Sequence, residues 1–253
     1  HTHTLDDKDN IFERIQEILG KTGGGYSILE QQVDVKLQME YFNFSKDRRT
    51  TPFVGDMLML INDLYSLTTT LEEKRGILVD LASIDKPEAY RAIEKFLEEG
   101  DAELKDWTVL ALQESRMLLE SRLLDEEQIF ISTGLGGQKD KLRYFVTYVS
   151  IDSNGFTDSQ RKVLEGEVDF VLKRFDSDLE SFWAEGKFAM LLALVPLYVA
   201  VQDPFKIILE ECNALGEFIK EGFIITNVKV LSPDEIQRYI DEQDAKIEGQ
   251  ELE

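Results

Sequence analysis

The sequence predicts an α+β fold with a helical N-terminal half and a C-terminal half in which strands and helices alternate. Two observations carry this prediction. Apolar residues recur at helical spacing through most of residues 53–124. After residue 125, β-branched and aromatic residues gather in short runs that glycine-containing turns separate. With 253 residues, of which 43% are hydrophobic, the chain has enough apolar material for one large or two small domains.

The first 45 residues contain one predicted helix and one ambiguous segment. Residues 6–19 carry an isoleucine stripe at helical spacing, and Gly20 ends it. Residues 28–44 fit two templates, because their apolar residues alternate with polar ones from Val33 to Tyr41 and also recur at every fourth position from Leu29. The alternation favours a strand, and the helix stays open as the alternative.

Four helices are predicted after a polar break at residues 46–52. Asp85 is placed as the N-cap of the third, Pro87 at its first position and Gly100 at its end. Asp101 is expected to cap the fourth. The predicted spans are 53–67, 71–84, 87–99 and 102–124.

The helical half carries a tight Gly-Asp joint followed by Leu-Lys-Asp-Trp-Thr-Val-Leu-Ala-Leu at residues 104–112. This pattern over residues 53–124 resembles HEAT-type helical repeats. Lys105 stands where that family usually has Arg, and Trp107 departs from the small residue often found there. The resemblance implies two helix pairs and a surface for binding another protein rather than a reaction.

The C-terminal half follows the order β-α-β-β-α-β from residue 142. Thr157 is expected to cap its first helix. This order resembles the ferredoxin-like split βαβ pattern, which supports many functions. The predicted strands are 142–151, 179–184, 187–201 and 223–231, and the predicted helices are 158–175 and 203–219.

An extra strand at residues 128–133 is expected to pair in front of this sheet through the glycine-containing loop that follows it. The predicted domains are therefore a mainly helical one at 1–125 and a ferredoxin-like one at 126–243. After a short helix from Ser232, the acidic tail 244–253 is predicted to be disordered.

The net charge restricts the classes of partner. The chain has 50 Asp and Glu against 28 Lys and Arg, a formal charge of −22. This balance argues against direct binding to nucleic acid or to an anionic membrane, because both rely on basic side chains. It favours a basic protein partner or serves solubility alone. The polar, acidic start and the single cysteine predict a cytoplasmic protein, and the apolar run 188–201 is too short to span a bilayer.

Catalytic motifs based on histidine or cysteine are missing from the sequence. The two histidines are His1 and His3, so no internal histidine is available for a triad or a zinc site. Cys212 follows Glu210 and Glu211, whose charges disfavour a thiolate. We therefore predict no metal, no cofactor and no catalytic residue of these kinds, while a carboxylate-based active site stays open.

The glycine loop at residues 132–141 is the first candidate site. It lacks the spacing of a dinucleotide or P-loop fingerprint. One interpretation is a mobile hairpin loop, and the other is an anion- or ligand-holding loop that uses backbone N–H groups with lysine and hydroxyl side chains. The residues for the second interpretation are Ser132, Thr133, Gly134, Gly136, Gly137 and Lys139, with Lys141 as an alternative lysine.

Two charged clusters are candidate partner contacts. Glu98, Glu99, Asp101 and Glu103 form an acidic ridge at a predicted helix joint, suited to a basic partner. Arg48 and Arg49 belong to the basic run 46–49, which suits a phosphate or an acidic partner. Alternatively, that run is a solvated linker or pairs with the protein's own acids.

Two functions follow from these observations. The first is a non-enzymatic adaptor or regulatory subunit that binds another protein, with a homodimer through an edge strand as an additional possibility. The alternative is a small-molecule or anion sensor, or an enzyme, that uses the glycine loop.

Overall fold

A computed structural model of the protein describes residues 25–126 and 128–251 and the backbone of His3–Thr4. The helix predicted over residues 6–19 lies outside the described residues. The chain forms two compact units, a helical unit at Arg14–Gly136 and a sheet unit made of His1–Glu13 and Gly137–Glu253. None of the helices in the described part combines the length and the apolar composition that crossing a bilayer requires.

The elements of the described residues are numbered in chain order. The strands are β1 (His3–Thr4), β2 (Tyr26–Ile28), β3 (Ile129–Ile131), β4 (Gly137–Gln138), β5 (Lys141–Val149), β6 (Asp178–Glu185), β7 (Phe188–Pro196) and β8 (Ile224–Thr226). The α-helices are α1 (Val35–Arg49), α2 (Met57–Leu64), α3 (Leu71–Ala82), α4 (Pro87–Glu99), α5 (Lys105–Leu124), α6 (Asp158–Arg174), α7 (Gln202–Leu215) and α8 (Pro233–Glu251), and a 3-10 turn at Ala102–Leu104 precedes α5.

Helix α1 occupies most of the segment for which a strand was favoured, so that prediction was wrong and the helical alternative was right. The Asp34 carboxylate caps the helix by accepting hydrogen bonds from the backbone N–H groups of Lys36 and Leu37 at 2.8 and 3.3 Å. Tyr41 is fully buried, with its ring 4.9 Å from that of Trp107. The cap and the burial of one helix face decide against the alternating pattern. The helix also continues through residues 46–49, where a polar break was predicted.

Helices α2 to α5 confirm the predicted succession of four helices; α4 has the predicted bounds, and the other three are shorter than predicted. Thr70 and Glu73 form a capping box at the start of α3. Helix α5 packs against α1, α3 and α4 around one apolar core. The largest fully buried side chains of this core are Leu29, Tyr41, Leu64, Leu78, Leu81, Ile93, Phe96, Leu104 and Leu110.

Two predicted helix caps were wrong. Helix α4 starts at Pro87 with Lys86 at the N-cap position, and the neighbouring Asp85 instead forms an ion pair with Arg122. Asp101 occupies the N-cap position of the 3-10 turn before α5, but its side chain makes no capping hydrogen bond, and its carboxylate accepts one from Lys74 Nζ at 2.7 Å instead. In both cases a distant cation competes with the local backbone for the carboxylate. The resemblance to HEAT-type repeats stays a prediction.

The predicted extra strand exists, but its predicted pairing was wrong. Strand β3 pairs in parallel with β2, with Ser27 opposite Phe130. The N–H of Leu29 extends this ladder to Ile131 O at 2.9 Å. The strand that precedes β5 in its own sheet is β4, whose Gly137 and Gln138 lie opposite Leu142 and Lys141. This hairpin turns more tightly than the predicted one, so β3 lies in the helical unit.

The elements from β5 to β8 confirm the predicted β-α-β-β-α-β order, and β1 adds an edge strand parallel to β8 that was not predicted. The strand order in the sheet is β1-β8-β5-β7-β6; β5 is antiparallel to both β8 and β7, and β7 is antiparallel to β6. Helix α6 connects β5 to β6, and α7 connects β7 to β8. The buried hydroxyl of Tyr148 on β5 donates a hydrogen bond to Phe205 O on α7 at 2.9 Å. The two helices pack against each other.

The C-terminal end of the chain differs from the prediction. Strand β8 covers three residues of the predicted 223–231. Helix α8 reaches Glu251, so it includes most of the tail that was predicted to be disordered. The Ser232 hydroxyl accepts a hydrogen bond from the Glu235 N–H at 3.2 Å, and the Glu235 carboxylate accepts one from the Ser232 N–H at 3.3 Å. Ile236, in the first turn, is fully buried. The capping hydrogen bonds and this buried side chain stabilise the start of α8, and the polar residues that follow continue the helix.

Candidate functional site

The glycine loop is closely packed at its centre. Gly134 and Gly136 are buried, and Gly136 has a φ of +68°. A Cβ atom at Gly136 would lie 2.2 Å from Glu30 O and 2.6 Å from Gln31 O. Only glycine fits this close approach. The predicted mobile hairpin loop is therefore a packed segment at Gly136, facing two carbonyl oxygens.

The other residues predicted for this loop do not come together as one cluster. In the helical unit, the Thr133 hydroxyl donates to Gly136 O at 3.3 Å, its carbonyl accepts from the Gln38 amide at 3.0 Å, and Ser132 is half-buried. In the sheet unit, Gly137 belongs to β4 and Lys139 is an exposed turn residue. Lys141 of β5 donates a hydrogen bond at 2.7 Å to Asp178 of β6, which is the second strand from β5 in the same sheet.

The predicted acidic ridge has three exposed members and one half-buried member. Glu98, Glu99 and Glu103 are exposed, and Glu99 lies 3.9 Å from Lys95 one turn away on α4. Asp101 is half-buried in its ion pair with Lys74. The ridge therefore keeps free negative charge at the C-terminal end of α4.

The two predicted arginines pair with the protein's own acids, one of the alternatives for this basic run. Arg48 donates to both Asp80 oxygens, from Nε at 2.8 Å and from Nη2 at 2.7 Å. This hydrogen bonding raises the pKa of Arg48. Arg49 lies 3.2 Å from the Glu114 carboxylate, which also accepts from the Ser45 hydroxyl at 3.0 Å.

A cleft of about 560 Å³ opens beside the Arg48–Asp80 pair in the helical unit. Its walls combine two phenyl rings with three charged side chains and a hydroxyl. The lining residues are Phe44, Asp47, Arg48, Thr51, Phe53 and Asp80. The Arg48 guanidinium carbon lies 5.6 Å from the centre of the Phe44 ring. Its flat group also covers Gly76, where a Cβ atom would lie 3.0 Å from three guanidinium atoms.

Helix α2 and the residues around it expose several large apolar side chains. We call Val54, Leu58, Met59, Tyr65 and Leu67 the α2 surface. Leu58 and Met59 are 62% and 64% exposed, while Val54 and Leu67 are almost completely so. The opposite side of the same helix buries Leu60 and Leu64 against α3 and α4. Apolar side chains thus occupy both faces of this helix.

Negative charge borders the α2 surface. Residues 50–73 contain the four carboxylates Asp56, Asp63, Glu72 and Glu73 and no Lys or Arg. Tyr65 stands edge-on to Phe96 of α4, with ring centres 5.8 Å apart. Partial burial, followed by the negative charge of Glu99, raises the pKa of Tyr65. The acidic ridge therefore adjoins the C-terminal end of α2.

The α2 surface was not predicted from the sequence, although one pattern pointed to it. Residues 57–61 are five consecutive apolar residues. A helix that packs on one side of a core buries only one stripe, so some members of such a run must face outward. The cleft had no comparable pattern, because Asp80 lies far along the chain from Phe44 and Arg48.

Two further classes of site find no support among the described residues. Burial, followed by the charges of Glu167 and Glu211, raises the pKa of the fully buried Cys212 to about 12, so its thiol is a poor nucleophile. Within the part of the chain that the structure describes, no three His, Cys, Asp or Glu side chains are grouped so as to hold a metal ion.

Comparisons with known proteins leave the family of this chain open. No protein-family model matches it, and no curated protein matches it. One solved structure with similarity is named "putative transposase from Deinococcus radiodurans R1". It is 15% identical, has a TM-score of 0.33, and the match covers 42% of this chain and 94% of that one. A similarity at this TM-score carries no argument about this chain.

Proposed function

We propose that this protein is a non-enzymatic adaptor or regulatory subunit that binds a partner protein through the α2 surface. The observation that carries this proposal is the exposure of Leu58 and Met59 on a helix whose opposite face is already in the core. Contiguous exposed apolar side chains cost free energy in water, and a rim of polar groups around them is typical of a protein-binding site. Apolar anchors of this kind supply most of the affinity at such interfaces.

The charges around the α2 surface favour one kind of partner. The carboxylates that border the α2 surface, together with the adjoining ridge at Glu98, Glu99 and Glu103, give this surface a negative rim. The chain as a whole is also negative. A partner segment with an apolar stripe and flanking Lys or Arg matches both features. The positive flanks speed association and the apolar stripe sustains the bound state.

The glycine loop supports the sensor alternative less well. The space next to Gly136 is occupied by the carbonyl oxygens of Glu30 and Gln31. Carbonyl oxygens repel an anion, whereas an anion site needs N–H groups that point at its ligand. The adaptor is therefore the function that the geometry supports better.

The test compares three tagged forms of the full chain in lysate of the native cells. They are the wild type, the double variant Leu58→Ser/Met59→Ser, and the control Leu123→Ser, which removes another exposed leucine of the helical unit (84% exposed). We expect the wild type and the control to retain the same protein in stoichiometric amount, and the double variant to lose it. Washing at about 500 mM instead of about 50 mM NaCl should weaken the capture, because salt screens the charged rim.

The captured protein is then purified and titrated calorimetrically against each form. We expect the double variant to raise Kd by about tenfold or more, and the control to leave it unchanged. Equal affinity of the wild type and the double variant would contradict the proposal.

A further inference from the structure

The cleft beside the α2 surface has one negative charge that is not neutralised. The Asp80 carboxylate is held by Arg48 through two hydrogen bonds, and its side chain is only 9% exposed. These two charges cancel. Asp47 also lines the cleft, and its carboxylate forms no hydrogen bond or ion pair with any residue that the structure describes. The cleft therefore has a net charge of about −1 next to two phenyl rings.

This combination of groups suits an incoming cation. A phenyl face attracts a cation within about 6 Å of its centre, and a carboxylate hydrogen-bonds it. Within the cleft, the Arg48 guanidinium makes such a cation–π contact with Phe44, 5.6 Å from the ring centre. Phe53 and Asp47 offer a second ring and a second carboxylate that no cation of the described residues occupies. A guanidinium fits them better than an ammonium, because it is flat and donates in pairs.

The cleft and the α2 surface are continuous along the chain. Phe53 lines the cleft, the next residue is Val54, which is 95% exposed, and Asp56 then caps α2. The Phe53 ring folds over Gly55, where a Cβ atom would lie 2.6 Å from the ring. A partner segment that lies on Leu58 and Met59 and extends along residues 54–57 would reach Phe53 at the cleft.

We propose that the cleft receives an arginine side chain of the partner that docks on the α2 surface, and that the cleft holds its guanidinium between Asp47 and the Phe53 ring. This inference rests on the proposed adaptor function and specifies its partner: the segment carries a basic residue beside its apolar stripe. A neutral side chain of the same shape lacks the charge-assisted hydrogen bond to the exposed Asp47 carboxylate and therefore binds less well.

The test uses N-acetyl-arginine amide as the probe and N-acetyl-citrulline amide as its uncharged match. Each is titrated into the isotopically labelled full chain, and amide chemical shifts report which residues it contacts. We expect arginine amide to shift the signals of residues 44–53 and to bind at least about fivefold more tightly than citrulline amide. Equal binding of the two probes, or shifts confined to other residues, would overturn the inference.

Two variants test whether the preference for arginine amide depends on the Asp47 carboxylate. Asp47→Asn keeps the shape of the side chain and removes its charge. Because the Asp47 carboxylate has no partner among the described residues, we expect the fold to stay intact. We expect this variant to abolish the preference for arginine amide. Asp106→Asn removes an exposed carboxylate in the first turn of α5, outside the cleft lining and outside the carboxylates that border the α2 surface, and should leave the preference unchanged. A loss of the preference in both variants would reduce the effect to net charge and overturn the inference.

The double variant Leu58→Ser/Met59→Ser separates this inference from the adaptor function. We expect it to bind arginine amide as the wild type does, although it no longer captures the partner. If partner capture depends on Leu58 and Met59 while arginine amide fails to bind, the adaptor function stands and the cleft inference falls. If arginine amide binds at Asp47 while capture ignores Leu58 and Met59, the adaptor function through the α2 surface falls, and the inference about the partner's side chain falls with it.

Discussion

At the scale of single residues, Gly136 holds its segment in place by a close approach to the backbone. Its Cα faces two carbonyl oxygens of residues 30 and 31, at distances that leave no room for a methyl group. Its φ of +68° also lies where non-glycine residues are strained. The same residue type that suggested a ligand loop in the sequence therefore has a packing explanation.

We expect Gly136→Ala to destabilise the protein by at least about 2 kcal/mol, because backbone strain and steric overlap add. The control is Gly186→Ala, at a φ of +57° with nothing within 4 Å of the added Cβ, where strain alone should cost about 1 kcal/mol. Differential scanning calorimetry of the full chain measures both. Equal melting temperatures for the two variants would contradict the close packing at Gly136.

Side-chain pairing shows why the predicted caps at Asp85 and Asp101 were wrong. Their partners are Arg122 and Lys74, which lie 37 and 27 positions away. Local capping rules compare a carboxylate only with the next few N–H groups. Thr70 and Thr157, whose capping boxes involve residues three positions on, follow those rules.

At the scale of elements, the sequence predicted correctly whether a short apolar segment is a helix or a strand only where the spacing of its apolar residues fitted a single template. Helix α6 and strand β5 each fitted one template, and their bounds match the prediction to within two residues. The segment of helix α1 fitted two templates, and the alternation favoured the strand, which was wrong. Its cap at Asp34 and the buried contact of Tyr41 with Trp107 decide the outcome, and the second depends on a distant residue. The pairing of β3 with β2 is equally non-local.

Helix α2 offers a test of its two faces within one element. We expect the double variant Leu58→Ser/Met59→Ser to change the free energy of unfolding by less than about 1 kcal/mol, because both side chains are mostly exposed. Leu64→Ala, at a fully buried position of the same helix, should cost about 2–5 kcal/mol. Urea unfolding measures both. A large loss in the double variant would mean that these side chains support the fold rather than a partner.

At the scale of the whole molecule, topology was more predictable than the candidate site. The β-α-β-β-α-β order is written along the chain, and right-handed crossovers leave few ways to arrange such strands in one sheet. The α2 surface and the cleft depend instead on which apolar and charged groups the packed helices leave uncovered. Arg48 in the predicted basic run contributes to the cleft, but Asp80 enters it only through the packing of α3 against α1.

The net charge of −22 opposes folding and favours the binding of a basic partner, so added salt should affect the two in opposite directions. Excess like charge repels itself in the folded state, and added salt shortens the range of that repulsion from about 30 Å at about 0.01 M to about 8 Å at about 0.15 M. We expect the melting temperature to rise over this range by about 2–4 °C, equivalent to ~1 kcal/mol. The affinity for a basic partner should fall over the same range. Thermal denaturation in NaCl, with glucose at matched osmolarity as the control, measures the first effect. A melting temperature that falls with NaCl would mean that attractive ion pairs such as Arg48–Asp80 outweigh the self-repulsion of the chain.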